Sequence, residues 1–272
     1  MAAETTTSNG FAILRDVLLD QRRSLPLWGL ALAAISIIYS GFYPLMGDAG
    51  EFEELMSTMP EGLMTALGFD DIGTAAGYIS SSVFGLLGPA LLLVFAIGAG
   101  SRLIAGREED GTLELELTHP VARRRILFER LFALWISIFA LVLVVAIVVQ
   151  GMIAALGMDV GTNEILAAST ALLLLGLAFG TIALAAGAAT GRRSVAMGLA
   201  AGLAVLSFIA NAIGPVVDAL GWLTEVSPWS WYIAERPLVN GWDLQGLLLL
   251  AIVPIVAAIV AAAMFNRRDL GV

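Results

Sequence analysis

The chain contains no cysteine and no lysine, and it has a single histidine, His119. Each absence removes a class of chemistry. Without cysteine there are no disulfides, thiol nucleophiles, iron–sulfur clusters or thiolate zinc sites. One histidine supports neither a multi-histidine metal site nor an axially ligated haem. Without lysine there is no GxxxxGK[ST] loop, whose lysine reaches the β- and γ-phosphates of a nucleotide. This chain is therefore not expected to be an ATPase or any other enzyme by itself, and no cofactor is expected in it. Charge is also scarce, at 14% of residues against about 25% in an average soluble domain. The net charge is −9, and no nucleic-acid partner is expected.

What the sequence has instead is apolar length. Hydrophobic residues make up 59% of it and the mean hydropathy is +0.90, so too few polar residues remain to cover a water-soluble core. Six apolar runs, at 27–46, 78–100, 131–158, 165–190, 195–217 and 244–265, are each long enough for a bilayer, which needs about 17–25 residues. They hold more than half of the 272 residues. The expected fold is all-α: a polytopic membrane protein with six transmembrane helices, set in the lipid bilayer as one transmembrane domain over 1–272.

The arginines orient it. Arg15, Arg22 and Arg23 precede the first run; Arg102, Arg107, Arg123, Arg124, Arg125 and Arg130 flank the second connection. Arg192 and Arg193 lie in the fourth, and Arg267 and Arg268 follow the last run. These alternate segments hold 13 of the 14 arginines, leaving only Arg236 on the opposite side. Basic segments stay in the cytoplasm, so both termini are expected there, with the protein in the cell membrane. Residues 11–24 place Phe11, Leu14, Val17 and Leu18 on one helical face, which predicts an amphipathic helix on the cytoplasmic interface with Ser8 or Asn9 as its N-cap. A plain soluble start to the first span is the alternative. In the first outer loop, 47–77, Phe52, Leu55, Met56 and Met59 recur at helical spacing before Pro60, and Leu63, Met64 and Leu67 after it. Two short interfacial helices are predicted there. The last outer loop concentrates Trp222, Trp229, Trp231, Tyr232 and Trp242, as an interfacial aromatic belt would; a ligand-binding aromatic cage is the alternative.

The loop 102–130 is the segment most able to encode a function. Gly111 can stop the second span as a left-handed residue past its end. Leu113 and Leu117 lie one turn apart, so a short helix can present them to a partner. Thr118-His119-Pro120 is a helix-start signal, and Ile126 and Leu127 lead into the third span. The resulting helix–turn–helix would be a docking knob, or simply a charged loop obeying the orientation rule.

Here the sequence resembles the permease subunits of ABC-2-type transporters. Their loop pattern stands as Glu108-Glu109-x-Gly111-Thr112-Leu113-Glu114, then Leu117-Thr118-x-Pro120-Val121-Ala122-Arg123-x-x-Ile126-Leu127. Ala122 departs from it, where serine is frequent. The resemblance implies a half-transporter, exporting a drug-like, antibiotic or lipid-like substrate. It would pair with a second permease subunit and with a separate ATP-binding-cassette ATPase subunit that binds ATP and Mg. It also implies that 108–123 carries a cytoplasmic coupling helix seated in a cleft of that ATPase, with Arg192 and Arg193 as a secondary contact.

Polar groups inside the spans are few: Ser80, Ser81, Ser82, Gln150, Asn211 and, at an outer end, Asp218. Gln150 and Asn211 are candidates for a substrate path, or for inter-helix hydrogen bonds. No carboxylate or arginine lies near a span centre, which argues against an ion-coupled carrier. A serine or aspartyl intramembrane protease lacks its partners. A non-transporting membrane anchor that passes ATPase motion to outer partners would share the same loop. Gly176/Gly180, Gly187/Gly191 and Gly198/Gly202 are spacings that permit close helix approach.

Overall fold

The computed structural model describes residues 11–46, 74–112 and 122–267. In hydrocarbon every backbone polar group needs a partner inside its own segment, which selects helices for apolar runs of this length. Among the described residues there is no strand. A short helix α1 (Ala12–Asp20) precedes α2 (Ser24–Met46), α3 (Ala75–Glu109), α4 (Arg123–Leu156), α5 (Thr162–Thr190) and α6 (Arg193–Ile213). A turn at Asp218–Leu220 leads to α7 (Trp222–Glu225), α8 (Pro228–Ile233), α9 (Pro237–Asn240) and the last long helix, α10 (Leu244–Arg267). Six helices, α2 to α6 and α10, are long and apolar enough to cross a membrane, and the protein is an all-α, multi-pass membrane protein. The helices overrun the apolar runs: α3 continues past residue 100 to Glu109, and α4 begins at Arg123 rather than 131. Hydropathy marks the hydrocarbon boundary, whereas the backbone ladder carries on into the interface. The fifth span ends earlier than expected, at Ile213 rather than 217.

The most buried span is α5, and α3, α4, α6 and α10 all pack on it. Small residues account for this. A Cβ on Gly176 would stand 2.9 Å from Ile138 and 3.0 Å from Leu92, and one on Gly180 would stand 3.1 Å from Ile138 and 3.3 Å from Ala96. One on Gly100 of α3 would run into the carbonyl oxygen of Gly180. Packing contact, not exclusion from water, holds spans together in lipid. The glycine pairs of the sequence part company here. Gly176, Gly180 and Gly187 face neighbouring helices, Gly191 ends α5 with φ 65°, and Gly198 and Gly202 on α6 open onto empty space.

Two stretches of α3, Ser80–Leu87 and Arg102–Gly106, are π-helical, a form found mostly as single bulges at functional sites. Ser81 and Ser82 donate to the carbonyls of Gly77 and Tyr78 at 2.9 and 2.6 Å, so these intramembrane hydroxyls serve their own helix. The carbonyl of Phe84 accepts from the Tyr232 hydroxyl at 2.7 Å. Burial of Tyr232 pushes its pKa well above the usual phenol value, which keeps it a donor.

Beside that bond, a packed knot joins α6 and α8. Ser207 accepts the backbone N–H of Trp229 at 2.8 Å, and its hydroxyl lies 2.9 Å from that of Ser227. Phe208 and Trp229 meet edge to face at 5.0 Å. The expected aromatic belt is therefore divided: Trp229 and Tyr232 are core residues, while Trp222 and Trp242 are exposed. The helices predicted at 52–67 lie outside the described residues.

Candidate functional site at the arginine-rich end

Helix α1, the end of α3 and the starts of α4 and α6 meet at one end of the bundle. A helix start leaves backbone N–H groups without partners in its own ladder. Neither α1 nor α6 caps itself, since Phe11 and Arg192 at their N-caps make no side-chain bond. In both cases a carboxylate from another helix supplies the partner.

Glu129 of α4, 6% exposed, accepts the N–H groups of Ile13 and Leu14 at 3.1 and 3.2 Å through one oxygen. Its other oxygen accepts Arg125 Nε at 2.7 Å. The α1 helix is thus capped from α4, and its apolar face, with Val17 buried, packs on α4 as well. The expected caps Ser8 and Asn9 lie outside the described residues. Phe11, predicted on the same face as Val17, is exposed. Two further links hold α1 down: Arg107 Nη2 to Asp20 Oδ2 at 2.6 Å, and the Ser137 hydroxyl to Gln21 Oε1 at 2.6 Å.

Glu109, at the end of α3, accepts the backbone N–H of Arg193 at 2.8 Å and so caps α6. Two residues on, Gly111 adopts φ 71° and its N–H returns to Glu108 at 3.0 Å, closing the helix where a left-handed glycine was predicted. The Thr112 hydroxyl donates to the Arg107 carbonyl at 3.1 Å. Of the residues singled out in the sequence, the structure brings Glu109 and Arg193 into direct contact and sets Glu108, Gly111 and Thr112 beside them. Arg123 opens α4, and Arg192 is exposed. Leu113, Glu114, Leu117, Thr118, Pro120 and Val121 lie outside the described residues. Gln150 and Asn211 are both half-buried near the opposite end, on α4 and α6, with α5 packed against both helices.

Glu129 and Arg130 were not singled out from the sequence as functional, yet Glu129 is 6% exposed and Arg130 is fully buried. The signal was present: Arg125 and Glu129 sit one turn apart within an apolar stretch that includes Ile126, Leu127 and Leu131. Chemically the site offers ion pairs and helix caps. Its arrangement ties the start of α6 to the end of α3 through Glu109.

A family model described as ABC-2 family transporter protein matches residues 11–270. The chain belongs to the ABC-2 transporter family. It is the permease type of subunit, the membrane-spanning part of an ABC transporter, and members of this family associate with an ATP-binding subunit. None of the curated proteins matches the chain. Within the ABC-2 framework, the capped junction of α3 and α6 flanks the loop whose pattern carries the resemblance.

Proposed function

We propose that this permease is one of two membrane halves of an exporter of a drug-like, antibiotic or lipid-like substrate, driven by a separate ATPase subunit that holds ATP and Mg. The second half is a further permease subunit, identical or related. The assembly sits in the cell membrane with its arginine-rich end and both termini in the cytoplasm, as the 13 arginines on alternate segments favour. Segment 108–123, with Arg192 and Arg193, is the surface the ATPase engages.

The observation that carries this reading is the 2.8 Å bond between Glu109 and the Arg193 backbone. It joins the two segments assigned to ATPase contact into one unit that also ends two spans. An apolar bundle whose candidate path residues are the uncharged Gln150 and Asn211 suits a mostly apolar substrate.

Leu117→Asp and Arg123→Glu test it. Truncating an interface anchor costs about 2 kcal/mol or more, and burying a new charge adds to that. Association of Leu117→Asp with the ATPase is expected to weaken by well over tenfold, with insertion intact because the change lies outside every span. Arg123→Glu is expected to weaken it in a salt-dependent way. Wild-type co-purification and unchanged transport by both variants would rule the coupling role out. A normal complex whose ATPase cycle moves no substrate would instead favour the membrane-anchor reading.

A further inference from the structure

At the arginine-rich end of the bundle a groove of about 450 Å³ runs between α4 and α10. Phe132 and Trp135 of α4 line one side, Ala258 and Ala262 of α10 the other, and Arg124 and Asn266 the end nearest the arginines. We propose that this groove binds one anionic phospholipid, with an acyl chain in the groove and the phosphate on Arg124.

Length selects a lipid chain. The apolar run of α10 ends at 265, which puts Asn266 at the edge of the hydrocarbon. Ile255, the deepest residue of α10 in the groove, lies eleven positions further in, about 16 Å along the helix. That is half of a hydrocarbon core of about 30 Å, the depth one acyl chain of one leaflet reaches. On α4 the lining also spans eleven positions, from Arg124 to Trp135. A spanning helix of a second copy is about 10–12 Å wide and crosses both leaflets, so it does not match a slot that ends at mid-membrane. The aromatic wall is fixed in advance: Trp135 Nε1 donates to Thr181 Oγ1 at 3.0 Å, and Phe132 meets Trp135 edge to face at 5.9 Å. Walls held in this way lose little freedom when a chain enters.

Charge selects the headgroup. Arg124 is exposed, it forms no ion pair among the described residues, and no carboxylate lines the groove. The only carboxylate of α4 is Glu129, which is buried and already accepts Arg125 and the N–H groups of Ile13 and Leu14. Helix α10 carries none, and the exposed Arg267 follows Asn266. Arg268 and Asp269, of opposite charge, lie outside the described residues. On its lipid side α4 is apolar from Phe128 inward, since Glu129 and Arg130 are buried, so Arg124 stands one turn above the apolar wall. Basic pockets between spans at the membrane surface favour anionic headgroups. A guanidinium can hold a phosphate through two parallel hydrogen bonds, and the Asn266 amide adds a donor beside it.

The groove is independent of the ATPase and of the direction of transport, so its test needs neither. The full chain is placed in phosphatidylcholine nanodiscs holding increasing fractions of phosphatidylglycerol or phosphatidylcholine with brominated acyl chains. Quenching of Trp135 is read as the difference between wild type and Trp135→Phe. Brominated phosphatidylglycerol is expected to quench at about fivefold lower mole fraction than brominated phosphatidylcholine, the factor one basic residue supplies near anionic lipid. Arg124→Gln is expected to abolish that preference, and Arg124→Lys, which keeps the charge, to retain most of it. Arg22→Gln removes a cation of the same end that does not line the groove, and the preference is expected to survive it. Ala262→Phe fills the slot and is expected to reduce quenching by both lipids. Equal quenching by the two lipids, a preference untouched by Arg124→Gln, or one lost equally in Arg22→Gln would overturn the proposal. So would a Trp135 that neither lipid quenches, as a groove covered by a second copy would give.

Discussion

The Glu109 carboxylate and the Arg193 backbone N–H, 2.8 Å apart, join the end of α3 to the first turn of α6 across 84 positions of sequence. The bond holds the two helices in register at the end of the bundle where the ABC-2 loop pattern lies. An acceptor at a helix start is typically worth about 1 kcal/mol, and a negative one also complements the helix dipole. Glu109→Leu is expected to lower the thermal midpoint of the nanodisc-embedded chain, and Glu109→Gln, which retains an acceptor oxygen, to recover most of the loss. Equal midpoints for Glu109→Leu and wild type would show that the bond does not hold the helices.

Glu129 does the same for α1, and amide exchange reports on it locally. Glu129→Leu removes the acceptor for two backbone N–H groups and the carboxylate paired with Arg125. Exchange at Ile13 and Leu14 is expected to accelerate by about tenfold or more, in keeping with a buried charged hydrogen bond of about 1.5–3 kcal/mol, while the middle of α4 stays protected. Unchanged exchange at those two amides would count against capping from α4.

Close helix approach predicts opposite fates for one substitution at two glycines. Gly100→Ala drives a methyl into the Gly180 carbonyl, so it is expected to cost about 1–3 kcal/mol, as overpacking does. Gly198→Ala meets open space and is expected to be neutral or slightly stabilising, since alanine favours the helix. Thermal midpoints of both variants check the pair, and a Gly100→Ala chain as stable as Gly198→Ala would contradict the packing of α3 on α5.

Tyr232 makes stability depend on alkaline pH. Its folded pKa is raised above the ordinary 10.0, so the unfolded chain loses this proton first. The contribution is complete below pH 10 and falls away as pH rises beyond it. Tyr232→Phe, which loses the bond to Phe84, is expected to be less stable near neutrality by about 1 kcal/mol and to decline less steeply above pH 10. Parallel pH profiles for the two proteins would argue against the buried hydroxyl.

The native lack of cysteine suits a test of orientation. Cysteine introduced at Asp159 is expected to react with an impermeant thiol reagent from outside the cell, and cysteine at Thr112 or Ser194 only after the membrane is opened. Outside labelling at Thr112 would invert the proposed topology.

Much of this architecture was legible because lipid imposes simple rules. Span number follows from run length, and the clustering of Arg107, Arg125 and Arg193 at one end follows from their alternation along the sequence. What stayed hidden depends on which way a helix faces. Gly176/Gly180 and Gly198/Gly202 have the same spacing, yet only rotation about the helix axis sends one pair into a neighbour and the other outward. Trp229 and Trp242 both follow the fifth span, and tertiary contact alone separates the ring packed on Phe208 from the exposed one. Glu129 looked like one more charge near the membrane surface because its partners, Ile13 and Leu14, lie more than a hundred residues earlier. Backbone groups leave no mark in composition.

Capping of α1 by Glu129 also imposes an order on biogenesis. Helix α1 is nine residues long, too short to be stable alone in water, and it leaves the ribosome before α2. The residue that completes its first turn follows 116 positions later, on the order of ten seconds at usual rates of synthesis. Through that interval the N–H groups of Ile13 and Leu14 lack the acceptor that α4 supplies, and the membrane surface is what the apolar face of α1 can meet. A ribosome stalled before residue 129 therefore presents an unfinished N-terminus, even though every residue of α1 has long been made.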